Sequence, residues 1–519
     1  MFELFTKKPF LSTFVMCLLF FITAGIFFEN RYIDILSVNY LIITFLLSTL
    51  FKQTKNKLFV VLISLLVLFL HILLSLPSYT LLITEIGILI SLIYHKKENK
   101  EYISLGIICA SFLFHLYLVE NTPINKFQHD LTGIYLYMDL ISRNIINIKD
   151  FDPWYMYYMF HQPLHFIVLH NIQIFAETIF SSQIASHESL QYLSLFYVTA
   201  TTIFFAKIFV MLKFNKIVFY AILLITTFHP TFALFSVYIS DDVPVLFFST
   251  MTFYFLIRWY KTNKFRDIKI ASIAFGLSTL SKLSMLLSVP AISLLFLIKL
   301  IKNKSKRTII IKSISLFITI AVPLSLIWVI RNHILYDMQF YNIPDTSPMG
   351  QNFRYLTLFE RLTDFSLLFK PFMNAPYISD ANILLAIFKT EIFGEWNLAK
   401  YCSFIIYPAA MLYAINLFLQ STTIVGGLFI VMKKNLTQKA VTSFFVLLYF
   451  SSILYALKYA MDFPYICSSN YRLFTLLLLS EAVILGKIAN QKRACQIILL
   501  NISVVYALLS FGIYILVSN

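Results

Sequence analysis

The chain has 519 residues, 59% of them hydrophobic and only 13% charged, with a mean hydropathy of +0.79. A soluble globular chain carries about 25% charged residues, so water-facing domains, a secreted scaffold and a disordered regulator are excluded. A polytopic, all-α membrane protein remains, and its formal charge of +16 has to be explained.

In chain order, apolar runs long enough to cross a bilayer as helix, roughly 17–25 residues, fall near 9–28, 33–51, 58–76, 78–94, 102–120, 190–212, 217–237, 243–260, 269–283, 284–301, 308–330, 403–432, 440–457, 471–488 and 494–517. These predict about fifteen spans. The first run follows Lys7 and Lys8 but lacks a small-residue cleavage site after Phe28, which reads as a retained anchor. Residues 1–97 form a four-span extension with little polar chemistry. Residues 98–493 form the core, with 494–519 as a last span, so that eleven spans run from about 102 onward.

Lysine and arginine near short loops orient such a chain, because basic loops stay cytoplasmic. With the first residues inside, the inside loops hold 27 of the 41 basic residues, and 19 of the 25 acidic residues fall on the outer side. The basic excess is therefore topological, and no nucleic-acid partner is needed to account for it. Five cysteines (Cys17, Cys109, Cys402, Cys467, Cys495) show neither pairing nor metal-ligand spacing.

Two long segments, 121–189 and 331–401, lie on the same outer face. Within the first, 161–180 reads as an interfacial helix, preceded by an aromatic belt, PWYMYYMF. Ionisable residues at membrane depth are functional candidates by default, and most of them cluster on this face. Gln128-His129-Asp130 opens the first segment, and Asp130 is a base candidate or a solvated loop carboxylate or helix cap. His161 and His165 are spaced to share one helical face; they are interfacial hydrogen-bonding groups, substrate contacts or, with His129, the start of a metal site that lacks a fourth ligand. Asp241 and Asp242 are adjacent carboxylates at a short outer tip, where they repel unless a cation or proton is supplied. Lys282 follows Ser281 where the 269–301 run turns, and either snorkels to water or binds phosphate. Arg472 in Asn470-Tyr471-Arg472 has the same two readings, while Glu395 and Arg331 flank the second segment.

The ordered set Gln128-His129-Asp130, His161-x-Pro-Leu-His165, Asp241-Asp242, Ser281-Lys282, Phe393-Gly394-Glu395 and Asn470-Tyr471-Arg472 resembles the GT-C superfamily of integral membrane glycosyltransferases, in the protein-mannosyltransferase and aminoarabinose-transferase style. The resemblance covers roughly 120–490. It implies a GT-C-like core of about eleven spans, a polyprenyl-phosphate-linked sugar as donor, inversion, and a lipid, glycan or protein acceptor at the outer leaflet, as in a bacterial plasma membrane. It further implies Asp130 as general base, Lys282 and Arg472 beside the departing lipid phosphate, and Gln128, His129, His161, His165, Asp241, Asp242 and Glu395 as substrate contacts. No cofactor is implied, and divalent metal is not excluded. The departures are Leu131 where many relatives carry a second acidic residue, Gln162 and Phe166 within the histidine motif, and Asp241 where asparagine is common. A lipid-linked sugar flippase and a non-catalytic membrane assembly protein are the rival readings.

Overall fold

The computed structural model describes residues 100–128, 130–144, 152, 161–179, 187–338, 353, 355–373, 380–432 and 440–518. The four leading spans, His129, the aromatic belt and Cys17 lie outside the described residues. Those described form a helical membrane protein without strands. In order, the helices are α1 (Lys100–Asn121), α2 (Leu131–Asn144), α3 (Leu164–Ile179), α4 (Gln191–Met211), α5 (Lys216–Thr227), α6 (Pro230–Val237), α7 (Asp242–Thr262), α8 (Phe265–Ser281), α9 (Val289–Lys302), α10 (Arg307–Tyr336), α11 (Leu358–Thr363), α12 (Ile383–Phe393), α13 (Ile406–Met432), α14 (Ala440–Asp462), α15 (Leu476–Ala489) and α16 (Arg493–Ser518).

Eight helices among the described residues are long and apolar enough to span a bilayer, or nine if α5 and α6, bent by 40° at their junction, count as one. Each of the eleven runs from 102 onward meets helix. Two are shorter than the sequence suggests: α9 has 14 residues because residues 283–288 form a 3₁₀ turn, and α15 has 14 because residues 471–474 form another. The α5–α6 bend has a local cause. Pro230 cannot donate to the preceding turn, and the His229 side chain accepts from Thr231 N, starting a new helix there.

Burial sorts the helices. In the helix that contains α4, 83% of the most apolar stretch is buried within the protein, against 22% for α10. The central position thus falls to α4. On α10 the side chains of Ile318, Val322, Ile327 and Ile334 are exposed, as expected of a lipid-facing helix. Because lipid removes the hydrophobic drive between helices, close approach requires small residues. Gly276 supplies one: a Cβ there would stand 2.5 Å from Leu324 Cβ, on the adjoining α10.

The bundle has two chemically distinct ends. At one end the turns between helices are rich in lysine and arginine, and several of these side chains finish helices. Lys299 Nζ donates to the carbonyls of Trp259 and Tyr260 at 2.9 and 2.6 Å. Lys487 Nζ donates to Leu212 O, just past the end of α4. Cations suit helix C-termini, where unpaired carbonyls and the negative dipole end gather. The other end carries Tyr238–Asp242, Lys282, Phe393–Trp396 and Asn470–Arg472. Helix α3 leans there on α2 through Tyr137 and Phe166, whose ring centroids are 4.3 Å apart.

The Gly276 contact is testable. Gly276→Val should lower stability by about 1–3 kcal/mol through overpacking, read as a lower unfolding midpoint of the purified protein in detergent; an unchanged midpoint would show that α8 and α10 do not depend on this close approach.

Candidate functional site

The tip between α6 and α7 holds Ser240, Asp241 and Asp242. Both aspartates are buried, and Ser240 Oγ donates to Asp242 Oδ2 at 2.9 Å. Helix α8 ends at Ser281, and Lys282 adopts an extended backbone before a 3₁₀ turn at Leu283–Ser288. That break frees its side chain to run under the tip, where Nζ lies 3.1 Å from Asp241 Oδ1 and 2.7 Å from Asp242 Oδ1. Lys282 therefore does not snorkel. Its side chain is 16% exposed, and its ammonium is neutralised by two carboxylates.

This triad answers the repulsion foreseen between adjacent aspartates. Burial by itself raises the Asp241 carboxyl, but Lys282 and His161 overcome it and hold its pKa well below the ordinary 3.8. Burial likewise lowers the Lys282 ammonium, yet Asp241 and Asp242 more than compensate and hold it above 10.5.

The histidines reach the same tip by separate routes. His161 is not part of a helix, contrary to the expectation of one shared helical face. It sits two residues before Pro163, which disfavours helix in the residue preceding it, and α3 begins only at Leu164. His161 Nδ1 donates to Asp241 Oδ2 at 2.9 Å. His165, in the first turn of α3, is buried and donates from Nε2 to Ile239 O at 2.9 Å. Burial lowers its pKa below the ordinary 6.5, so it acts at neutral pH as an uncharged brace for residues 239–241. Gln128 is also a brace, donating to Val237 O at 3.2 Å.

A second group adjoins the triad. Asp130 stands at the N-cap position of α2, its carbonyl accepting from Ile134 N. Its carboxylate, 40% exposed, lies 3.6 Å from Arg472 Nη1. Arg472 Nη2 is 3.8 Å from Glu395 Oε1, and Asn470 Nδ2 donates to the same carboxylate oxygen. Asn470 Oδ1 also caps the turn by accepting from Arg472 N. The two groups share one field: Arg472 senses Glu395, Asp242 and Asp130, and Lys282 senses Arg472. Asp130, Asp241, Asp242, Lys282, Glu395 and Arg472 thus converge at one end of the bundle, whereas Arg331 turns away to stack on Trp328 and Tyr336.

Tyr238 and Trp396 were not singled out in the sequence as site residues. Trp396 Nε1 donates to Tyr238 Oη at 2.9 Å, forming an aromatic wall beside Glu395. Gly394, with φ +58°, makes the turn that sets Glu395 and Trp396 in place, and a Cβ there would meet Leu234, Trp396 and Tyr238 at 3.2 Å. The available signal was the Gly-Glu-Trp run itself, since a lone glycine after an apolar helix marks a left-handed cap.

Among known proteins, the family of dolichyl-phosphate-mannose-protein mannosyltransferases matches residues 175–328. That stretch contains Asp241, Asp242 and Lys282, but not Asp130, Glu395 or Arg472. No curated protein matches the chain. The match covers less than half of the chain; together with the helical membrane fold it supports a likeness to membrane glycosyltransferases of the GT-C type. The matched stretch itself is mannosyltransferase-like.

The triad predicts a specific stability pattern. Lys282→Met should cost about 3–5 kcal/mol by leaving buried carboxylates unpaired, and adding Asp241→Asn should restore part of it; equal midpoints for wild type and Lys282→Met would refute the pairing. Asp241, lowered on folding, contributes above pH 3.8 and loses that contribution as the pH falls further. Lys282, raised on folding, contributes below pH 10.5 and loses that contribution as the pH rises further. The difference in unfolding midpoint between wild type and Lys282→Met should therefore hold constant through the neutral range and shrink in strong acid.

Proposed function

We propose that the protein transfers a glycosyl group from a polyprenyl-phosphate-linked sugar to an acceptor hydroxyl, with inversion, on the side of the membrane that the charge pattern makes the outer one. The observation that carries this reading is the 3.6 Å approach of the partly exposed Asp130 carboxylate to Arg472. A general base and an anion-stabilising cation stand side by side where donor and acceptor would meet.

In the reaction, the acceptor oxygen attacks the anomeric carbon as its bond to the phosphate oxygen breaks. Asp130 takes the acceptor proton. The lipid phosphate leaves with the bonding electrons, and Arg472 stabilises the charge that builds on it. Arg472 suits the task because a planar guanidinium grips phosphate oxygens in pairs. At more than 3.5 Å its contacts with Asp130 and Glu395 are loose, so an incoming phosphate can displace them. Lys282 adds positive field while holding Asp241 and Asp242 in shape. His161, fixed by Asp241, and the wall of Trp396 and Tyr238 would border the sugar.

Two substitutions test this reading. Asp130→Asn keeps a good N-cap for α2 but removes the base. Sugar transfer should fall about 10²–10⁴-fold with donor binding retained, and near-full turnover would refute the role. Arg472→Lys keeps the charge but loses the paired donors. It should weaken donor binding and transfer together, by about 10-fold or more; unchanged kinetics would remove Arg472 from the phosphate site.

A further inference from the structure

Beneath the site lies a second acidic group that the proposed chemistry does not use. Glu391, near the end of α12, and Glu481, on α15, are both buried. One amide serves both: Gln420 Nε2 lies 2.9 Å from each oxygen of Glu391 and 2.7 Å from Glu481 Oε2. Asn416 Nδ2 donates to Glu391 Oε2 at 2.8 Å, and Tyr449 Oη donates to Gln420 Oε1 at 2.9 Å.

Among the described residues, no lysine or arginine comes within ion-pair distance of either carboxyl. The group that does is His229, with Nε2 3.5 Å from Glu391 Oε1. Because His229 Nδ1 accepts from Thr231 N, that ring is held in its neutral form with the proton on Nε2. Tyr506 packs against the His229 ring from α16, and Tyr471 packs in from the turn before α15, its backbone N–H donating to Thr390 Oγ1. Two carboxylates drawn together on one amide inside a low-dielectric bundle repel strongly if both ionise, and one proton relieves the repulsion.

Asn416 is fully buried and its amide lies on the pair through Nδ2, while its Oδ1 takes no hydrogen bond among the described residues. We infer that Glu391 and Glu481 form a proton-binding site inside the helical bundle, holding one proton between two carboxyl groups and carrying a net charge of minus one. Glu391 precedes Glu395 by four residues across the Gly394 turn, and Thr390 beside it accepts from the backbone N–H of Tyr471, the neighbour of Arg472. The site keeps a second negative charge from building up beneath the arginine.

Infrared difference spectra between wild type and the Glu391→Gln/Glu481→Gln double variant test this, with ¹³C-labelled glutamate for assignment. The expected result is one protonated carboxyl band and one carboxylate band lost in equal measure. Two carboxylate bands, or two protonated ones, would overturn the inference. Should the double variant not fold, labelled wild type alone decides: a glutamate acid band must persist at alkaline pH, and its absence overturns the inference. Exchanging sodium and potassium for choline should leave the unfolding midpoint unchanged; a drop would assign the pair to a metal cation instead.

Discussion

A charge inside a membrane bundle has to be paired, and the Lys282 clamp is where this constraint shapes the protein most. One ammonium between Asp241 and Asp242 ties the break after α8 to the tip between α6 and α7. From that tie the rest of the site follows. Asp241 is left with an oxygen for His161, Ile239 is fixed by His165, and Asp242 contributes to the field at Arg472. Breaking a buried pair by removing one partner is far costlier than never having built it. The tip is thus rigid because its charges have no alternative partner in water.

The same constraint gives the two ends of the bundle different characters. At the basic end, lysines complete helix C-termini by donating to terminal carbonyls, so the residues that set orientation also finish secondary structure. At the other end, opposite charges face one another in a cluster where the loops Tyr238–Asp242, Phe393–Trp396 and Asn470–Arg472 meet. Asp130 and Arg472 are ordered there but partly open to solvent, in contrast to the closed triad beside them.

Much of this was legible in the sequence. The eleven apolar runs from 102 onward all coincide with helix, because bilayer thickness imposes a length that composition reveals directly. The clustering of Asp130, Asp241, Asp242, Lys282, Glu395 and Arg472 was legible as sidedness, since charges on one face of a polytopic chain have few places to go. Local geometry was less so. The shared helical face assigned to His161 and His165 ignored Pro163, which delays the helix, and snorkelling was open for Lys282 because one strand of sequence does not show which carboxylates a helix break will meet. Trp396, Tyr238 and the Glu391–Glu481 pair depend on contacts between separate helices and loops, where periodicity carries no information.

The central claim is that this end of the bundle makes a glycosidic bond rather than moving a lipid-linked sugar across the membrane. The direct measurement is incubation of the purified protein in detergent, without any compartment, with a polyprenyl-phosphate sugar labelled in both sugar and lipid and with candidate acceptors. The account predicts release of free polyprenyl phosphate in step with sugar appearing on the acceptor in inverted linkage. Intact donor in detergent, together with movement of the same labelled lipid between leaflets of reconstituted vesicles, would contradict it.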